Sequence, residues 1–139
     1  MRKAGLICAL ALSGCASYSR VPTIHPLRPL QIATAPYQPV ATTALSGSLV
    51  YDGGCLLFRG NRTGALLMPV WPAGTIFNGT AVIYHEPGRA DHAVMVAEQF
   101  LMEGQPLQWS ALAAPPYQPF QNQCGAYPPF FVSHVRPAN

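Results

Sequence analysis

The chain has 139 residues, 9% of them charged and 50% hydrophobic, with a formal net charge of +3. Two of the cations, Arg2 and Lys3, open the chain; beyond residue 14 six arginines stand against five acids, so the net charge there is 6 − 5 = +1, with no lysine and no basic cluster. This excludes reading the pI of about 8.8 as nucleic-acid binding, and 11 charges in those 125 residues, against about 25% in a usual soluble domain, imply a surface that is uncharged or is covered by a partner or a membrane.

Met1-Arg2-Lys3 is a short cationic lead, and Ala4 to Leu12 is a nine-residue apolar run. About 20 residues are needed to span a bilayer as a helix, so the run is too short for a transmembrane anchor and has the length of a signal-peptide core. Leu12-Ser13-Gly14-Cys15 follows at once. This resembles a lipobox, the Leu-small-small-Cys site of bacterial lipoprotein precursors. The alternative is an ordinary secretory signal with a chance cysteine. The resemblance implies that residues 1–14 are removed and that the Cys15 thiol takes a diacylglycerol. Two or more acyl chains hold a protein to a membrane stably, where one does so only marginally. Ala16 and Ser17 follow the cysteine, and neither is the aspartate that retains lipoproteins at the inner membrane in Gram-negative sorting. The expected address is therefore the periplasmic face of the outer membrane, given such a host.

Residues 15–44 read as a lipidated cysteine and a tether. Pro22, Pro26, Pro29, Pro36 and Pro39 fix φ and remove backbone donors, so the segment is expected to be extended. The rest, 45–136, reads as one small domain with a single modest core.

Within it, Leu45, Gly47, Leu49 and Tyr51 alternate with Ser46, Ser48 and Val50, the period of a half-buried strand. Asp52-Gly53-Gly54 is a turn. Cys55 to Arg59 is a second strand, and Gly60 to Gly64 a second turn. Ala65 to Trp71 is a continuous apolar run, with Pro69 and Pro72 arguing that it ends early or lies on an edge. Thr75 to Phe77 and Thr80 to His85 flank Asn78-Gly79, a hairpin or bulge signal. Glu86 to Arg89 turns the chain again. Ala93 to Met102 suits either a helix or a strand, and the alternation of Val94 and Val96 favours strand. Leu107 to Leu112 and Phe130 to Val135 complete the set, with a proline- and aromatic-rich stretch, 113–129, between them. The expected fold is all-β, a small barrel of six to seven short strands.

Cysteine arithmetic adds a constraint. On the lipobox resemblance Cys8 leaves with the signal and Cys15 takes the lipid, so Cys55 and Cys124 are expected to remain as an even pair in an exported chain. A disulfide between them closes a loop of about 70 residues, which the chain-entropy model values at about 4 kcal/mol. Two buried free thiols are the alternative. A metal site would need further ligands nearby.

Gly47-Ser48-Leu49, Gly54-Cys55-Leu56, Leu67-Met68-Pro69-Val70-Trp71-Pro72-Ala73-Gly74 and Cys124-Gly125 before Phe130-Phe131-Val132 resemble small secreted bacterial domains of uncharacterised function. The resemblance spans about 46–135, with a longer proline-rich insertion here. It implies a small barrel like an oligonucleotide/oligosaccharide-binding fold, and it implies no activity.

Candidate chemistry is sparse. His85-Glu86 and Asp91-His92 flank a turn, and two histidines with a carboxylate suit zinc or a similar ion; a solvated hairpin tip is the plainer reading. Trp71 and Trp109 suit a stacking platform for a sugar or peptide, although core tryptophan is commoner. His134, in an apolar strand, reads as a satisfied, half-buried histidine. No Gly-x-Ser-x-Gly or Ser-x-x-Lys nucleophile motif occurs, nor a glycine-rich phosphate loop, and no cofactor is implied. Pro-Tyr-Gln-Pro occurs twice, at 36–39 and 116–119. Two function classes follow. One is a lipid-anchored, non-enzymatic envelope module with a protein or glycan partner. The other is an enzyme or metal-binding protein using the His85–His92 turn.

Overall fold

The computed structural model describes residues 32–138; the expected signal segment, Cys15 and the expected tether up to residue 31 lie outside the described residues. Nine strands, two 3-10 turns and one short helix run in the order β1 (Ala33–Ala35), β2 (Thr43–Asp52), β3 (Cys55–Gly60), β4 (Leu66–Pro72), β5 (Ile76–Phe77), β6 (Ala81–Tyr84), β7 (His92–Met95), β8 (Gln99–Pro106), Trp109–Leu112, Pro115–Tyr117, α1 (Gln118–Cys124) and β9 (Pro129–Pro137).

Five of these strands close a barrel in the order β4-β3-β2-β8-β9, shut by a parallel pairing of β4 with β9. The expected all-β, OB-like barrel is thus formed. The Gly53-Gly54 turn makes the first hairpin. Both glycines have positive φ, 57° and 79°, as a two-residue hairpin turn that follows strand twist requires. β2 is long enough to serve two neighbours: Gly47–Asp52 pairs with β3, and Thr43–Ser48 pairs with β8.

Period-two alternation sends Leu49, Leu56, Phe58, Trp71, Phe100, Met102, Phe130 and Val132 into the barrel. On the outer side, Cys55, Leu57, Met68, Val70 and Phe131 build a second core with Leu112 and Cys124. β3 and β4 are therefore buried on both faces. This is why Cys55–Phe58 and Leu66–Trp71 read as unbroken apolar runs. Each such side chain, fully buried, contributes about 1.5–3 kcal/mol of transfer free energy.

Four expectations differ from the structure. The tether was expected to reach Ala44, yet β1 pairs in parallel with β4, Ala33 opposite Val70, and the chain stays on the barrel from there. Proline removes a donor but leaves its carbonyl, and the carbonyls of Gln38 and Val40 both accept from Ser133 Oγ, at 3.1 and 2.7 Å. Pro69 neither ends β4 nor marks a sheet edge. The pairing with β3 stops at Leu67 and that with β1 starts at Val70, so the missing N–H falls where β4 changes partner. The 93–102 segment is two strands, β7 and β8, with a turn at Val96–Glu98 in place of one strand or a helix. Leu107–Leu112 is not a strand, and the proline-rich stretch contains α1.

β9 carries a bulge. Glu103 faces His134 and Gly104 faces Val132, leaving Ser133 as the extra residue. Its carbonyl is not stranded, because the buried Tyr84 hydroxyl donates to it.

Candidate functional site

The turn between β6 and β7 gathers most of the polar side chains that carry chemistry. Register places Tyr84 opposite His92, so the chain leaves β6 and returns to β7 within one short excursion. His85 Nδ1 lies 2.7 Å from Asp91 Oδ1, with both side chains about half exposed. His92 instead packs against Tyr84, the rings tilted by 56° with centroids 5.2 Å apart.

Glu86 turns the other way and is almost buried. Its Oε1 accepts from the Tyr37 hydroxyl at 3.3 Å, lies 2.9 Å from His134 Nδ1 and 3.5 Å from Arg89 Nε. The four residues expected to converge on a metal are thus divided, His85 with Asp91 and Glu86 with His134. Among the described residues no group of three or more His, Cys, Asp or Glu is arranged to hold a metal ion.

Burial, and next the Glu86 carboxylate, raise the Tyr37 phenol above its ordinary pKa of 10, and the same two causes raise Tyr84. Both phenols therefore stay protonated as donors. Glu86 ties the segment after β1, its own turn and the last strand into one junction. A His–Asp pair orients an imidazole, but among the described residues no hydroxyl or thiol bonds the other nitrogen of His85, which a triad would require. His134 is satisfied and part-buried, as its place in an apolar strand predicts.

The two tryptophans form no platform. Trp71 is 1% exposed, inside the barrel, its ring edge-on to Tyr84 at 6.3 Å. Trp109 is on the outer side, in the second core, and its Nε1 donates to the Tyr127 carbonyl at 3.0 Å. The apolar β4 was legible as a source of core residues; that the barrel wall would separate the two indoles was not.

In OB-type barrels the face of the second and third strands, with the loops after the first and fourth, takes oligonucleotides and oligosaccharides. Here those strands are β3 and β4, and the loops are Gly53-Gly54 and residues 107–128. That face is covered by the chain itself. Cys55 and Cys124 are bonded, with Cα atoms 5.9 Å apart. Gln123 Nε2 donates to the Gly54 carbonyl at 3.3 Å, the Tyr127 hydroxyl to Asp52 Oδ2 at 3.1 Å, and the Tyr117 hydroxyl to the Thr34 carbonyl at 2.8 Å. Both tyrosines of the repeated Pro-Tyr-Gln-Pro are thus anchors, Tyr37 on Glu86 and Tyr117 on β1. Sequence reasoning missed Tyr37 and the Glu86–His134 pairing. The repeat was the one signal pointing at Tyr37, and nothing in the sequence joins positions 48 residues apart.

No known protein family, no curated protein and no solved structure matches the chain.

Proposed function

We propose that the chain is a lipid-anchored envelope protein whose OB-like barrel acts as a non-enzymatic binding or structural module. The observation that carries this reading is the Met1-Arg2-Lys3 lead, the nine-residue apolar run and Leu12-Ser13-Gly14-Cys15. The Cys55–Cys124 disulfide supports it, because such bonds persist in oxidising, exported compartments. So does β1, whose start at Ala33 leaves only a short stretch of chain between Cys15 and the barrel.

A partner of such a module, a protein or a glycan, meets a surface other than the β3–β4 face, which the 107–128 segment occupies. Glu86, already bonded on three sides, offers it little. The sorting rule on Ala16 and Ser17 favours the outer membrane.

The test is metabolic labelling with a fatty-acid analogue. The parent chain is expected to carry the label, and Cys15→Ala to lose it and accumulate as uncleaved precursor. Equal label on both chains refutes the reading. Recovery of the labelled parent in the inner-membrane fraction would refute the outer-membrane address alone.

A further inference from the structure

β5, β6 and β7 form a separate three-stranded antiparallel sheet that closes one end of the barrel. Its inner face carries Phe77, Val82, Val94 and Tyr84, all packed into the barrel core. Residues directly paired across strands share a face, so Ile76, Ile83 and Ala93 form one row on the outer side, beside the pair Ala81 and Met95. The outer side of this sheet therefore carries five aliphatic side chains and no charge, although Ala81 is buried at 3% exposure and Ile83 is half-buried. Ile76 is 59% exposed and Met95 49%, and Ala93 is exposed too.

An antiparallel sheet with one face on a core ordinarily places polar residues on the other. Exposed aliphatic side chains gathered where polar residues are the rule mark a candidate contact surface. On the opposite, barrel-facing side, Tyr51 packs edge-on against Phe77 at 6.0 Å and donates to the Gly79 carbonyl at 2.9 Å. Past the end of β6 the same outer face finishes in the His85–Asp91 pair.

We propose that the outer face of β5-β6-β7 rests on the lipid surface to which the chain is anchored, an inference that rests on the lipoprotein reading above. Sixteen residues, 16 to 31, lie between Cys15 and Ile32. At about 3.5 Å per residue at most, they reach no further than about 55 Å, so the domain remains within about two of its own diameters of the bilayer. At the effective concentration a short tether imposes, a weak contact with the surface is occupied. Exposed aliphatic side chains on an uncharged sheet face are what an interfacial contact buries. The low charge of the whole chain after residue 14 fits a domain that lives against lipid.

The experiment uses the full lipidated chain in phosphatidylethanolamine–phosphatidylglycerol vesicles. Met95→Cys carries an environment-sensitive fluorophore, and Arg62→Cys, in the exposed turn between β3 and β4, carries the same label as a reference. Spin-labelled acyl chains are expected to quench the label at 95 at least twofold and to leave the label at 62 unchanged. Adding Ile76→Glu, at a position already 59% exposed, should abolish the quenching while the chain stays anchored. Equal water exposure of both labels overturns the proposal. So does shielding at 95 that lipid does not quench and that fades on dilution within the membrane, which would mean a second copy covers the face. The intact mass separates the two readings: a chain without acyl groups removes the lipoprotein reading and this proposal together, whereas an acylated chain with an unquenched label removes this proposal alone.

Discussion

Two insertions interrupt the barrel, and they are held by opposite means. Residues 73–98, between β4 and β8, pair their own backbone as the β5-β6-β7 sheet and press one apolar face onto the barrel end. Residues 107–128, between β8 and β9, contain prolines at 115, 116, 119 and 128 and have only α1 and two 3-10 turns of regular structure. A chain with so few regular bonds to itself must be fastened from outside. Here the fasteners are the Cys55–Cys124 bond, the Tyr117 and Tyr127 hydroxyl donors, and Gln123 on the first hairpin turn, while Trp109 braces the segment internally on the Tyr127 carbonyl. The difference teaches that backbone pairing and covalent linkage substitute for each other in covering a small barrel. The sheet keeps an unfastened outer face available, while the stapled segment spends its side chains on the barrel.

The largest effect should come from cutting the staple. Replacing both Cys55 and Cys124 by serine is expected to lower stability by about 2–5 kcal/mol, a large share of the 5–15 kcal/mol typical of a domain. Urea unfolding measures the loss. Limited proteolysis should then cut 107–128 early and leave 73–98 intact. If both segments are cut at the same rate, the two insertions are not held independently and the contrast fails.

The sheet side is broken at Tyr84, whose hydroxyl satisfies the carbonyl of the Ser133 bulge. Tyr84→Phe leaves that buried acceptor without its donor, at a cost of about 1–3 kcal/mol. The pH dependence has a definite sign. Burial first, and Glu86 next, raise the folded-state pKa of this phenol above the unfolded value of 10. A group that binds its proton more tightly when folded stabilises fully below the unfolded pKa, and that contribution is lost as pH rises toward the folded one. Stability of the parent should therefore fall above pH 10, and the fall should be shallower in Tyr84→Phe. Urea midpoints between pH 7 and pH 11 give both numbers; parallel curves for the two proteins would place the alkaline loss elsewhere.

Much of this contrast was legible in the sequence, and what escaped has physical reasons. Glycine-marked turns and period-two alternation are local signals, and they gave β2, β3, β5, β6 and β9 within a few residues of their observed ends. β1 escaped because three small residues among prolines carry no periodicity of their own; its partner β4 lies 37 positions along the chain. α1 escaped because its exposed face is glutamine and asparagine and its one buried residue is Cys124, so no amphipathic stripe marks it. The disulfide was reached by counting cysteines, which needs no geometry. The Glu86 junction needed the barrel to be closed before His134 and Tyr37 could meet one carboxylate. The bare outer face of β5-β6-β7 was hidden for a related reason. Ile76, Ile83 and Ala93 form a row only once the register is known.

The smallest expected effect concerns the joint between the sheet and the barrel. Among the described residues other than glycine, Ala97 alone has positive φ, at 71°. It was unreadable as a turn because no glycine or asparagine marks it, and so 93–102 looked like one element. Its N–H donates to the Leu49 carbonyl at 2.9 Å, and the Glu98 carboxylate accepts from the Met95 N–H at 2.9 Å, so the surrounding bonds hold it there. The left-handed conformation costs an alanine about 1–2 kcal/mol. Glycine removes that cost but gains unfolded-state freedom worth about 0.4–1 kcal/mol. Ala97→Gly should therefore stabilise by a net ~0.5 kcal/mol, read as a higher urea midpoint at unchanged slope. Gly88, at φ 79° in the turn between β6 and β7, has open space where a Cβ would sit. Gly88→Ala isolates the same conformational cost with no clash, and it should lower stability where Ala97→Gly raises it. A destabilised Ala97→Gly would mean that the Ala97 methyl contributes packing at the joint exceeding its backbone strain, and the sheet would then be fastened to the barrel by more than its inner face.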